Sequence, residues 1–342
     1  MSRASKWMVA GVLTLLTFGA LIWSLNPRPR PEPQEAAVRL IPLRGGAEVP
    51  QAEISSLAWN GETLVLLPQY PERFPIEGAL LSAFTLSRTA IETFLDGDTT
   101  DPIQVGHMPI EAGTLEAQIG GFDGFEAIAF AGDRVFVTIE TTADAEHTVG
   151  WLVAGTVADG EIRLDPAQRV RLRSQIDLEN IGYEALVVRG DELWALYETN
   201  GQINPRPVAL VFDHDLSPLR EERMPRVEYR LTDATEADRR GRFWVSNYHW
   251  PGAAWQTASC RLTEEHGEGQ SHARCVTVER LVELSHTERG VEVTRTPPVQ
   301  LELVDDEHAR NWEGLVRLPG RGFLMVTDEY PATLLGFVPI EG

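Results

Sequence analysis

Lysine occurs once in this 342-residue chain, at Lys6, so every later basic side chain is an arginine. Cationic groups are scarce altogether. Thirty basic residues stand against 51 acidic ones, a formal net charge of −21. Such a chain offers no basic footprint for nucleic acid or for an anionic membrane surface. Cysteine is limited to Cys260 and Cys275, which excludes a disulfide scaffold and a Cys-rich zinc site. Common enzyme motifs are missing too: there is no G-x-S-x-G elbow, P-loop, dinucleotide-binding glycine fingerprint, H-E-x-x-H pair or EF-hand spacing. The eight histidines are scattered without ligand spacing. What is present is an ordinary globular composition, 43% apolar and 24% charged. Twenty-nine Gly and 22 Pro favour many turns and short strands over long helices.

The N-terminus stands apart. Trp7 to Leu25 is uncharged and follows Arg3 and Lys6. At about 1.5 Å per residue it reaches nearly across a ~30 Å hydrocarbon core. Residues 1–25 are therefore expected to form one transmembrane signal-anchor helix, the positive charges keeping its start in the cytoplasm. A cleaved signal peptide is the alternative, but the bulky Leu21-Ile22-Trp23-Ser24-Leu25 makes a poor cleavage site. Residues 26–36 begin NPRPRPEPQ, a stiff Pro-rich spacer. Residues 37–342 would then form a domain on the periplasmic or extracytoplasmic side, touching the membrane through the N-terminal helix only. Export favours a disulfide. Cys260 and Cys275 flank a polar loop between strand-like runs, and closing it would contribute roughly 3 kcal/mol.

An internal repeat organises the domain. GFEAIAFAGDRVFVTIE (124–140), GYEALVVRGDELWALYE (182–198), TDATEADRRGRFWVSN (232–247) and WEGLVRLPGRGFLMVTDE (312–329) share one grammar, with a weaker copy at ISSLAWNGETLVLLPQ (54–69). Each is an apolar strand, a Gly-centred turn and a second apolar strand ending in a polar residue. The intervals leave room for two further strands per unit, such as 151–157 and 168–174. Four strands per repeat is the pattern of an all-β, five-bladed β-propeller. A sixth blade within 70–120 or 250–310 is the alternative. The last copy leaves room for only one more strand, TLLGFVPI (333–340), so AVRLIPLR (37–44) is expected to close the ring from the other end.

The repeat also aligns polar residues. Its first strands lead with Ser55, Glu126, Glu184, Asp233 and Glu313, and inner strands line a propeller channel. Converging carboxylates repel, so they must either hold protons or bind a cation. An oxygen-only set with loose symmetry suits calcium better than the tight octahedron of magnesium. A second set closes the repeats at Gln69, Glu140, Glu198, Asn247 and, across a longer turn, Glu329. Glu140, Glu198 and Glu329 are the general-base candidates, and Gln69 and Asn247 are candidates to bind substrate. Tyr248, His249, Trp250 and Trp255 follow the fourth hairpin and form either a ligand wall or rim packing.

GFDGFEAIAFAGDRVFV, NIGYEALVVRGDELWALYE and RNWEGLVRLPGRGFLMVTDE resemble the Glu-Ala/Gly blade motif of the phytase-like, or "esterase-like activity of phytase", family of exported propellers. The ring from Ser55 to Glu313 resembles that of the calcium-activated nucleotidases, or apyrases. The likeness covers most of the chain after residue 50, as repeat grammar. It implies a central calcium and a phosphorylated small-molecule substrate. Two departures stand out: Asp233 occupies a place where the nucleotidase pattern carries Ser, and without lysine only an arginine such as Arg310 can meet a phosphate. Two functions follow. One is a calcium-dependent phosphoric ester or anhydride hydrolase. The other is a non-catalytic envelope scaffold, locked by structural calcium and binding an envelope protein.

Overall fold

A computed structural model of the chain describes residues 33–144, 147–178, 180–252 and 260–340. The expected membrane segment, most of the Pro-rich spacer and Trp255 lie outside these residues. Among the described residues no helix is long and apolar enough to cross a membrane.

The described residues form an all-β fold of five successive four-stranded meanders. The first comprises Ile54–Asn60, Thr63–Pro68, Leu81–Ser87 and Gly106–Glu111, and the second Phe122–Ala131, Arg134–Asp144, His147–Ala158 and Glu161–Leu172. These two join edge to edge as one eight-stranded sheet through parallel pairing of Ile110 with Ile162. The third comprises Ala185–Arg189, Glu192–Leu196, Val208–Asp213 and Pro218–Arg223. The fourth comprises Arg230–Ala234, Arg242–His249, Val278–Thr287 and Val299–Leu301, with Gly290–Val293 as a short extra strand on Val278–Thr287. The fifth begins Trp312–Leu318, Gly322–Thr327 and Leu335–Pro339. Its fourth strand is Arg39–Ile41, which pairs Arg39 with Phe337 and Ile41 with Leu335, so the N-terminal strand closes the last sheet as the sequence implied. Glu35–Ala36 also runs parallel to Gln300–Leu301, tying the same stretch to the fourth sheet.

Sequence explains the repeat locally. Each inner hairpin turns at a glycine with positive φ: Gly61, Gly132, Gly190, Gly241 and Gly320. Only glycine enters that region without a Cβ penalty. Alternation then splits each strand between two cores. In Phe122–Ala131, Phe125, Ile128 and Phe130 pack toward the first meander, while Ala127 and Ala129 pack toward the third. Five apolar clusters result, one between each consecutive pair of sheets, the last joining the fifth to the first. The first strands contact one another in the same closed cycle. Among the described residues three short α-helices, Arg88–Asp96, Leu115–Ile119 and Arg261–His266, interrupt the strands. Arg88–Asp96, capped by the Ser87 hydroxyl and by Gly97, buries Ile91, Phe94 and Leu95 against the first meander.

The expected disulfide is not formed. Cys260 and Cys275 are both free thiols. Cys260 is buried and accepts a hydrogen bond from Arg280 Nη2 at 2.9 Å, while Cys275 ends the short turn His272–Arg274. The stretch between them is not a hairpin loop, because it carries the helix Arg261–His266 and that turn. This local structure sends the two side chains to different neighbours.

Candidate metal centre

Backbone irregularity aims the inner ring. In the first sheet the ladder steps from Ile54–Pro68 to Ser56–Leu67 and leaves Ser55 unpaired. The same step leaves out Glu126 between Phe125 and Ala127, and Glu313 between Trp312 and Gly314. In the fourth sheet Thr232 and Asp233 fall in the gap between Leu231 and Ala234. In the third, Glu184 immediately precedes the ladder, which opens at Ala185. A bulge bends its strand and re-aims a side chain. The repeated irregularity turns Ser55, Glu126, Asp233 and Glu313 out of the sheet alternation, and Glu184 leaves it by preceding its strand.

Two of the five, Glu126 and Glu184, converge with Glu140 of the second set. Glu126, Glu140 and Glu184 each offer a carboxylate oxygen, all within 4.8 Å of one another, and all three side chains are buried. Glu313 and Asp328 stand beside them. Burial first, then the charges of Glu184, Glu140 and Glu313, pushes the Glu126 carboxyl well above its ordinary range. Burial raises Glu184 to about 8; Arg230 opposes this and Glu140 adds to it. Glu313 rises to about 7 through burial and Glu184, and Asp328 to about 8 through burial and Glu313. Glu140 is raised by burial as well. The facing cation is Arg230, which pairs with the fully buried Glu198. One guanidinium cannot neutralise this many carboxylates. Among the described residues, buried oxygens of Glu140, Asn311 and Asp328 lack any hydrogen-bond donor. Buried polar atoms without partners are rare and call for a ligand or water. The donor set is all oxygen, which fits a hard divalent cation.

The other expected site residues have different tasks. Gln69 Nε2 donates to Glu126 Oε1 at 3.0 Å and so orients a ring carboxylate. Asn247 holds the Glu228 and Arg230 carbonyls through Nδ2 and takes Arg280 Nε on its oxygen at 2.7 Å, fixing the segment that presents Arg230. Ser55 turns its hydroxyl back to the Leu67 carbonyl at 3.3 Å. Asp233 is filled by donors from its own and neighbouring strands: the amides of Leu315, Ala234 and Leu57 and the Ser56 hydroxyl. Arg310 does not meet the mouth. It is buried against Glu279, which also accepts the Trp312 indole N–H at 2.8 Å. Glu329 is exposed, and Asp328 occupies its expected place. Thr327 pairs with Trp312 as Ile139 pairs with Phe125, so Asp328 is the counterpart of Glu140. Counting from the turn finds this residue in sequence: Gln69, Glu140, Glu198 and Asp328 each lie eight residues after a turn glycine. Of the aromatics, Tyr248 and His249 are buried, His249 stacks on Tyr229 at 4.9 Å, and Trp250 is exposed.

No protein-family model and no curated protein matches the chain. Among solved structures it is similar to the Myxococcus xanthus glutaminyl cyclase, at 12% identity and a TM-score of 0.42 over 91% of this chain and 100% of that one. The soluble aldose sugar dehydrogenase from Escherichia coli gives 10% identity and a TM-score of 0.45 over 89% and 99%. The Kuenenia stuttgartiensis hydrazine synthase gives 13% and 0.41 over 83% and 76%. Likeness at this level carries no activity and no site residue over to this chain.

Proposed function

We propose that the chain is a five-bladed β-propeller whose axis binds a divalent cation, calcium by the chemistry of its ligands, at Glu126, Glu140 and Glu184. The observation that carries this reading is the approach of three buried carboxylates within 4.8 Å. The undonated oxygens of Asn311 and Asp328 extend the oxygen set. Five meanders, five interleaved cores and the closed cycle of first strands support the blade count. The N-terminal apolar segment belongs to the same reading, as a membrane tether that holds the domain on the extracytoplasmic side.

The activity we assign to the site is metal-dependent hydrolysis of a phosphoric ester or anhydride. When bound, the ion supplies a Lewis-acidic centre for a phosphoryl oxygen and acidifies water. Glu140 would hold the ion, and Asp328, its counterpart in the fifth sheet, would accept a proton from that water. Arg230, partly exposed beside Glu198, would meet the substrate oxyanion. A second reading, a non-catalytic scaffold with structural calcium, is favoured by one observation: the three candidate ligands are only 3–5% exposed.

The test is thermal unfolding of the metal-stripped full chain in mild detergent, with and without calcium or magnesium. A native-state ligand at 100 times its Kd adds about 2.7 kcal/mol. A calcium-specific rise supports the site, and no rise with either ion overturns it. Calcium-dependent turnover of p-nitrophenyl phosphate or a nucleoside diphosphate, lost in Glu140→Gln, supports the hydrolase. Stabilisation without turnover leaves the scaffold.

A further inference from the structure

A groove of about 1140 Å³ lies between the outer strands of the third sheet and the outer part of the fourth, and shares no residue with the axial carboxylates. Pro205–Val208 and Arg223–Arg226 form one side, and the helix Arg261–His266 and the strand Gly290–Val293 form the other. Met224, Leu262 and Val291 lie buried in the core beneath the groove, and the apolar surface its floor presents comes from Pro205, Val208, Pro225 and Val293. Its walls carry six arginines: Arg206, Arg223, Arg226, Arg261, Arg289 and Arg295. Two are already matched, Arg261 to Glu265 at 2.6 Å and Arg289 to Glu292 at 3.0 Å. Arg226 donates to the Pro205 carbonyl at 3.0 Å. Among the described residues Arg206, Arg223, Arg226 and Arg295 make no ion pair with a carboxylate.

This concentration runs against the composition. In a chain of net charge −21, unpaired guanidinium groups gather round one concavity. Guanidinium prefers carboxylate or phosphate in bidentate geometry, and its weak hydration suits an interface. The groove also carries Glu228, Glu265 and Glu292 among the arginines. A dense polyphosphate would meet these carboxylates and leave the apolar floor unused. A chain with spaced carboxylates and apolar side chains between them would use both.

We propose that this groove is a docking site for an extended acidic peptide segment of a partner protein, its carboxylates on the free guanidinium groups and its apolar side chains on the surface of Pro205, Val208, Pro225 and Val293. Charge complementarity of this kind sets on-rate and specificity and weakens with salt.

The experiment is calorimetric titration of the full chain with a synthetic peptide of about a dozen residues, glutamates with a leucine at every third position. Binding is expected at low salt, weakening steeply as salt rises. In Arg223→Glu/Arg295→Glu it should weaken by about tenfold or more, and in the exposed Arg44→Glu it should not change. Both groove arginines are exposed, so an unchanged melting temperature certifies the fold of the double variant. Arg206→Gln provides a milder second variant. Absence of binding at low salt, equal binding to the groove variants, or tighter binding of inorganic polyphosphate at the same arginines overturns the proposal. Stripping calcium should leave peptide binding intact, so this result stands or falls separately from the axial site.

Discussion

The Asp233 carboxylate accepts the backbone N–H of Leu315 at 2.7 Å, across 82 residues of chain. The same carboxylate takes the Ala234 amide at 2.8 Å, the Leu57 amide at 3.5 Å and the Ser56 hydroxyl at 3.3 Å. Ser56 Oγ in turn accepts the Ile128 amide at 3.3 Å. One acidic side chain thereby links the inner strands of the first, fourth and fifth sheets, and through Ser56 the second. Burial pushes its carboxyl well above the ordinary range, and these four donors pull it back.

Removing that acceptor should be costly. Asp233→Ala orphans buried N–H groups, each worth about 1–3 kcal/mol of desolvation. Urea denaturation is expected to show a loss of roughly 3 kcal/mol or more. Asp233→Asn keeps one acceptor oxygen and should lose less. A loss under about 0.5 kcal/mol for the alanine variant, the range of a neutral surface change, would deny the residue this role.

The axial carboxyls predict a pH dependence of the metal-free protein. Glu184 and Asp328 are raised to about 8 and Glu313 to about 7, chiefly by burial. Between the ordinary carboxylate range and those values the folded chain holds more protons than the unfolded one. Stability then falls as pH rises and levels off above about 8. Urea midpoints of the metal-stripped protein from about pH 5 to about pH 9 should decline across that window. A flat profile would mean that the cluster ionises without penalty.

Glu35 works in the opposite sense. Burial pushes its carboxyl up, but hydrogen bonds from His272, Ser271 and their backbone amides outweigh this and hold it below the ordinary range. Its contribution is present above the unfolded carboxylate pKa and is lost as pH falls through the lower folded value. Glu35→Gln keeps an acceptor but loses the charge, and should cost about 1 kcal/mol near neutral pH, with the difference from the parent shrinking in acid. Equal stability of parent and variant at pH 7 would show that the clamp on Ser271 and His272 contributes nothing.

Much of the architecture was legible in the sequence, and the reason is local. A glycine such as Gly132 or Gly190 between two alternating apolar runs specifies a hairpin, and that unit recurs along the chain. The closing strand at Arg39–Ile41 was legible because the last repeat leaves too little chain for its own fourth strand. The site was only partly legible. Repeat alignment found Glu126, Glu184 and Glu140, which do converge. It treated Asp233 and Ser55 as equivalent to them, because alignment cannot see that neighbouring amides supply donors to one and a carbonyl receives the other. Arg310 looked free beside the ring, yet its partner Glu279 comes from another strand of a neighbouring sheet. Such long-range pairings leave no periodic trace.

The thiols give the last prediction. Cys260 is 3% exposed and held under the Arg280 guanidinium, whereas Cys275 is only partly buried. Burial, and then the charge of Asp306, raises the Cys275 thiol above its ordinary pKa, so it should react slowly at neutral pH and faster in mild alkali. A thiol reagent applied to the folded protein should modify Cys275 alone, and denaturant should release Cys260. Because no covalent link restrains the segment between them, a reductant should leave the melting temperature unchanged, whereas breaking a real link across such a loop would cost about 3 kcal/mol. A peptide map of the native, active-fold protein showing Cys260 joined to Cys275 would overturn this arrangement. It would require the helix Arg261–His266 to give up its present packing, since Leu262 in that helix is buried in the same core as Cys260.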